Sequence, residues 1–153
     1  MDLVESVRNH LGIAIYQHRL TTVAVTNEDV LLVGQGYALD FSRDFDDVSL
    51  RLIEPCKEKM EPKWYSANML LLERSTRSPR PPVESSQSLD ERLDSCTRTI
   101  ATVLVERCQD ILSGDFSWLH EKKKKDRAAW AGYRVDATVQ KALFSIWRMG
   151  DGA

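Results

Sequence analysis

The stretch Thr21-Thr-Val-Ala-Val-Thr-Asn-Glu-Asp-Val-Leu-Leu-Val33 decides the fold class. Both of its ends are rich in β-branched and aliphatic residues, which favour extended strands. The polar turn Thr26-Asn-Glu-Asp29 separates these two apolar runs. Two such runs around a short polar turn are typical of a β-hairpin. We therefore predict a hairpin that turns across Asn27.

The residues before this hairpin have helical spacing. Asp2 and Glu5 supply the acidic first turn that a helix N-terminus favours. We predict a short first helix that stops at Gly12, followed by a strand over Ile13-Ala-Ile15. The apolar face of this helix consists of Leu3, Val4, Val7 and Leu11.

The residues after the hairpin continue the sheet. Gly34-Gln-Gly36 is typical of a turn or bulge. From Val48 to Leu52 apolar residues alternate with polar ones, which predicts a half-buried strand that Pro55 ends. The stretch from Trp64 to Arg74 suits either a helix face or a strand, and we favour a strand that continues the meander.

The second half of the chain is helical. Residues 75–87 hold three prolines and four serines, which predicts a linker. Ser88-Leu-Asp-Glu91 has the form of a capping box, so a long helix should begin there and run to about Ile111, with Gly114 as its stop. A final helix should carry on its inner face Val135, Val139, Leu143, Ile146 and Trp147.

These patterns predict one α+β domain over residues 1–153. Its N-terminal half should form an antiparallel sheet or β-meander, packed by the long helix of the C-terminal half and by the final helix. A chain of 153 residues is long enough to fold alone. Val30–Val33 and Met69–Leu72 are far too short to span a membrane, and no secretory signal is apparent at Met1–Glu5. We expect a cytoplasmic protein without membrane contact.

The sequence shows no equipment for catalysis, cofactor binding or metal binding. The histidines form no zinc-type pair, and the three cysteines are widely spaced. The aspartates between Asp44 and Asp47 lack the spacing of a calcium loop. We therefore predict no catalytic residue, no cofactor and no metal. His18, beside Arg19, remains a minor alternative as an acid or base.

Charge is distributed unevenly along the chain. Residues 1–60 hold ten acidic against six basic side chains, whereas residues 121–153 hold four against eight. The basic run Lys122–Lys125 is interpreted as a solvated segment, with a phosphate contact as the alternative. An overall pI near 5.9 argues against direct nucleic-acid binding.

The stretch from Tyr37 to Asp47 combines four aspartates with three aromatic residues. Rigid aromatic side chains ringed by polar groups are typical of binding hot spots. We predict that a basic partner protein binds there, through Tyr37, Asp40, Phe41, Asp44, Phe45, Asp46 and Asp47, with Glu54 nearby. In the alternative interpretation the phenylalanines turn inward and the aspartates cap turns.

With Tyr37 to Asp47 and Glu54 as an acidic, aromatic surface, this small chain resembles the immunity proteins that neutralise bacterial polymorphic toxins, including those of contact-dependent inhibition systems. The resemblance implies that the protein binds one cognate toxin domain, often a basic nuclease, and blocks it with carboxylates in phosphate positions. Two other classes remain open. The protein could be an adaptor or subunit that docks through the last helix around Ile146 and Trp147, or a small enzyme or nucleic-acid-binding protein.

Overall fold

A computed structural model describes residues 2–54, 61–75 and 87–150, with side chains as far as Trp147. Within those residues it is an α+β structure whose strands form one six-stranded sheet in the order β1 to β6. Every neighbouring pair of strands is antiparallel. The elements are α1 (Leu3–Gln17), β1 (Thr21–Ala24), β2 (Asp29–Val33), β3 (Ala38–Asp44), β4 (Asp47–Ile53), β5 (Lys63–Ser66), α2 (Asn68–Arg74), α3 (Leu89–Arg107), α4 (Gln109–Leu112), α5 (Ser117–Lys125), β6 (Tyr133–Arg134) and α6 (Ala137–Gly150).

The predicted fold class is confirmed, and the predicted hairpin across Asn27 is present. β1 pairs with β2 in the register that places Val23 opposite Leu31. Along β4, Val48, Leu50 and Leu52 are buried on one face of the sheet, as their alternation predicted. β6, which extends the sheet beside β5, was not predicted, because two residues carry no periodic signal.

Helices cover both faces of the sheet. On one face, α1 and α3 bury a large core that includes Leu11, Phe41 and Leu104. On the other face, α6 packs Val139 and Leu143 against the sheet, in a cluster that also holds Leu31, Val33, Ala38 and Ile53. Within the part of the chain that the structure describes, no helix combines the length and the apolar character needed to cross a bilayer.

The first helix is longer than predicted, and the predicted strand at Ile13–Ile15 is wrong. α1 continues through Gly12 to Gln17 because Ala14 extends the buried face begun by Leu11. Amphipathic packing therefore outweighs the β preference of the two isoleucines. The helix ends at Gln17, and Arg19, with φ 53°, then turns the chain towards β1.

Two further boundaries differ from the prediction. The stretch from Trp64 to Arg74 is a short strand, β5, followed by the helix α2, so its second half is not a strand. The long helix α3 ends at Arg107 because Cys108, with φ near −130°, leaves the helical conformation before α4 begins.

The predicted final helix is present as α6, and buried Val135 lies just before it. Residues 76–86 of the predicted linker, Pro55 and Cys56 lie outside the described residues.

The predicted cap by Ser88 at the start of α3 is present. The Glu91 amide donates to Ser88 Oγ at 3.2 Å, and the Ser88 hydroxyl donates to Glu91 Oε1 at 3.1 Å.

We expect Ser88→Ala to lower the free energy of unfolding by about 1 kcal/mol, since one helix-end amide loses its acceptor. Urea denaturation would measure this. Thr102→Ala is the control, because it removes an exposed mid-helix hydroxyl and should change stability by less than about 0.5 kcal/mol. Equal losses would contradict the capping role.

Candidate protein-binding surface

The tip of the β3–β4 hairpin presents an exposed aromatic side chain. Asp44 pairs with Asp47, so Phe45 and Asp46 form a two-residue turn. Phe45 has φ 53°, in the left-handed region where such turns favour glycine. Its side chain is 80% exposed. Neither this backbone conformation nor an exposed ring helps the chain to fold, so Phe45 is a candidate for a binding role.

Carboxylates surround Phe45 and brace the turn against α3. Asp44 is exposed, whereas Asp46 is half-buried and its Oδ2 lies 3.2 Å from Arg92 Nη1. Asp47 accepts a hydrogen bond from the Val48 amide through its Oδ1. Burial and then the Asp47 carboxylate raise the pKa of the Cys96 thiol, which places Asp47 beside α3 as well. The hairpin tip is therefore held against the first two turns of this helix.

The N-termini of α1 and α3 lie at the same end of the molecule as the hairpin tip. Ser6 Oγ donates to Asp94 at 2.6 Å, and His10 lies 2.9 Å from the same carboxylate oxygen. A cavity that holds about one water, with a volume near 10 Å³, is lined by Asp2, Arg43, Val48, Asp90 and Asp94 among others. We name this region the acidic end, and its acidic members are Asp2, Glu5, Asp44, Asp46, Asp47, Asp90, Glu91 and Asp94.

Sequence reasoning found only the hairpin part of the acidic end. Asp2 and Asp90 are far apart in the sequence, and each has an ordinary role near a helix N-terminus, where acidic side chains favour the helix dipole. Only the packing of α1 beside α3 brings them together. The sequence does show acidic residues at the starts of α1 and α3. It does not show that these two helices pack in the same direction, which is what brings their acidic ends together.

Three of the predicted partner-binding residues, Tyr37, Asp40 and Phe41, are buried, so the prediction that they bind a partner at the surface is wrong. The Tyr37 hydroxyl donates to the Leu112 carbonyl at 2.6 Å, and its ring meets Phe116 edge-on. Phe41 is fully buried in the core between the sheet and α1 and α3. Asp40 points to the opposite face and is 3% exposed. The stretch forms β3 and the turn that leads into β4, and strand alternation sends successive side chains to opposite faces.

Glu54 lies at the far end of β4 from the hairpin tip, roughly 23 Å away along the strand. It accepts hydrogen bonds from the Tyr65 hydroxyl at 2.8 Å and from Lys123 Nζ at 2.6 Å. Burial alone would raise the pKa of this carboxyl, but those two donors outweigh it and hold the pKa below its ordinary value. Glu54 therefore belongs to a separate polar cluster and not to the acidic end.

The lysine run is less solvated than predicted. It lies on α5, where Lys122 pairs with Glu73 and Lys123 pairs with Glu54, both at 2.6 Å. Lys124 and Lys125 remain exposed. The molecule is thus acidic at the hairpin tip of β4 and basic beside the other end of the same strand.

The remaining chemical candidates have ordinary contacts. His18 bonds to Gln109 through its Nε2 at 2.9 Å. Cys96 and Cys108 are buried free thiols, and burial raises the pKa of each. In residues 2–54, 61–75 and 87–150, no group of three or more histidine, cysteine or acidic side chains is arranged to hold a metal ion.

Comparisons with known proteins give no relative from which a function could be transferred: no protein family, curated protein or solved structure matches this chain. We therefore infer the function from the geometry and charge of the acidic end.

Proposed function

We propose that this protein is a non-catalytic inhibitor that binds one basic protein through the acidic end, in the manner of an immunity protein that neutralises a toxin in the cytoplasm. The observation that carries the proposal is Phe45, an exposed aromatic ring held at the tip of a turn that would favour glycine. Aromatic anchors surrounded by polar groups supply a large share of the binding energy in protein interfaces.

The charges around Phe45 suit a basic partner. Asp44 is exposed beside it, and the acidic starts of α1 and α3 extend the negative field on the same end of the molecule. Such a field speeds association with a positively charged protein and rejects acidic ones. If the partner is a nuclease, these carboxylates would occupy the positions of substrate phosphates, which would block its active site.

The rigidity of the hairpin tip favours tight binding. The ion pair between Asp46 and Arg92 and the contact of Asp47 with α3 fix the turn before a partner arrives. A preformed site pays less conformational entropy on binding than a flexible loop. The long helix α3 thus serves as a platform for the binding residues.

An adaptor role is the second candidate, although not through the surface first expected. Ile146 and Trp147 pack on the sheet, and Trp147 Nε1 donates to the Gly34 carbonyl at 3.0 Å, so the predicted patch on the last helix is wrong. The observation that favours an adaptor is on α1, where Ile13 and Tyr16 are 77% and 85% exposed.

Affinity capture from the source cell, at low and at high salt, tests the proposal. We expect one basic protein in a one-to-one complex, retained at low salt and released at high salt because exposed charges are then screened. The captured protein, once purified, should cleave nucleic acid or show another toxic activity that the inhibitor abolishes. A multi-protein set that resists salt, with no activity to inhibit, would favour the adaptor instead.

A further inference from the structure

Asp40, on β3, carries a carboxyl group that is buried on the face of the sheet that α6 covers. Its side chain is 3% exposed, and its Oδ1 has no hydrogen-bond partner among the residues that the structure describes. Strand alternation places it on the face of Ala38, opposite Leu31 of β2, and both residues belong to the cluster packed by Val139 and Leu143. An ionised carboxylate at this position would lose most of its hydration, which costs free energy.

Three charged groups face Asp40 from the surrounding elements: Asp29 from β2, Arg51 from β4 and Asp136 from the start of α6. Burial, reinforced by the negative charge of Asp29, raises the pKa of Asp40 to about 8. Arg51 opposes this shift, but its guanidinium stacks over the ring of Trp64 at 4.2 Å. In its neutral form Asp40 can donate a hydrogen bond to the Asp29 carboxylate.

We propose that Asp40, together with Asp29 and Asp136, is a proton-operated latch that holds α6 on the sheet and releases it when the proton is lost. Asp136 ties this cluster to the helix directly, because its Oδ1 caps α6 by accepting from the Val139 amide at 2.9 Å. Ionisation of Asp40 places a third negative charge beside Asp29 and Asp136 under the first turn of α6. Undocking relieves this repulsion and exposes the apolar face that includes Leu31 and Ile53.

The direction of the pH response follows from proton binding. When α6 undocks, water reaches Asp40, whose pKa returns to about 3.9, the ordinary value. Between about pH 4 and pH 8 the undocked form therefore binds fewer protons than the docked form, so docking weakens as the pH rises. Above about pH 8 both forms are ionised, and the dependence should level off.

Amide hydrogen exchange on the whole chain from pH 5 to pH 9, corrected for intrinsic exchange rates, tests the latch. We expect the protection of α6 to fall roughly 500-fold between pH 5 and pH 8 and then to level off. At every pH α6 should be less protected than α3, since it opens without global unfolding. Asp40→Asn should abolish the decline, because the amide stays neutral and can still donate to Asp29.

Asp29→Asn separates the latch from a merely structural role. It removes the charge that helps to keep the proton on Asp40, so the protection of α6 should level off at a lower pH than in the wild type. The proposal is overturned if α6 and α3 exchange together at all pH values, or if Asp40→Asn keeps the decline. If Asp40→Asn does not fold, an unmoved response in Asp29→Asn is sufficient to overturn it.

Discussion

Replacing Asp44 by Lys and Phe45 by Ala together is expected to weaken binding to the captured basic partner by about 100-fold, or roughly 2.7 kcal/mol. Loss of the exposed ring removes the proposed anchor, and an aromatic hot spot contributes about 2 kcal/mol or more. The charge reversal replaces attraction by repulsion at an exposed site, which should mainly slow association. Surface plasmon resonance at physiological and at high salt would measure both rates.

The matched control makes the same chemical changes elsewhere on the surface. Glu106→Lys with Tyr16→Ala also reverses one exposed acid and removes one exposed aromatic ring. Glu106 lies about 21 Å along α3 from Arg92, which pairs with the hairpin tip. This control should keep the wild-type affinity, and both double variants should unfold at the wild-type urea concentration within error. Wild-type affinity in the hairpin double variant would remove the hairpin tip from the interface.

Gly114→Ala is expected to lower the free energy of unfolding by about 3 kcal/mol. Gly114 has φ 87°, where a side chain is strained, and an added Cβ would lie 2.6 Å from Cε1 of Tyr37. The ring is held in place, because the Gly34 backbone also packs against it, where an added Cβ would lie 2.2 Å from Cε1, and because its hydroxyl is bonded to the Leu112 carbonyl. Urea denaturation would measure the loss.

Gly36→Ala is the matched control for this steric argument. Gly36 also has a left-handed backbone, with φ 80°, but an added Cβ there would meet no atom within 4 Å. Gly36→Ala should therefore lower the free energy of unfolding only through backbone strain, by about 1 kcal/mol. If the two substitutions cost the same, Tyr37 is not packed tightly between its glycines, and its assignment to the core would be contradicted.

The parts of the fold that could be predicted are those with a strong local signal. The hairpin around Asn27 and the cap at Ser88 each follow from a few adjacent residues. The strand predicted at Ile13–Ile15 was wrong because its signal was weaker than the continuing apolar face of α1. Local propensity decided the element only where tertiary packing agreed with it.

The candidate site was only partly predictable, for a different reason. Composition singled out the stretch from Tyr37 to Asp47, yet it could not show that alternate residues of a strand face opposite ways, and so Phe41 is buried while Phe45 is exposed. The contribution of Asp2 and Asp90 depends on packing between helices that are distant in sequence. The burial of Asp40, whose Oδ1 has no hydrogen-bond partner among the described residues, depends on the packing of α6 over that face of the sheet.

Hydrogen exchange of the one-to-one complex with the captured partner tests the central claim most directly, because it locates the interface without any substitution. We predict added protection at residues 43–48 and at the first two turns of α3, where Arg92 pairs with the hairpin tip. Protection confined to α1 around Ile13 and Tyr16, or to the lysines of α5, with the hairpin tip unchanged, would contradict it.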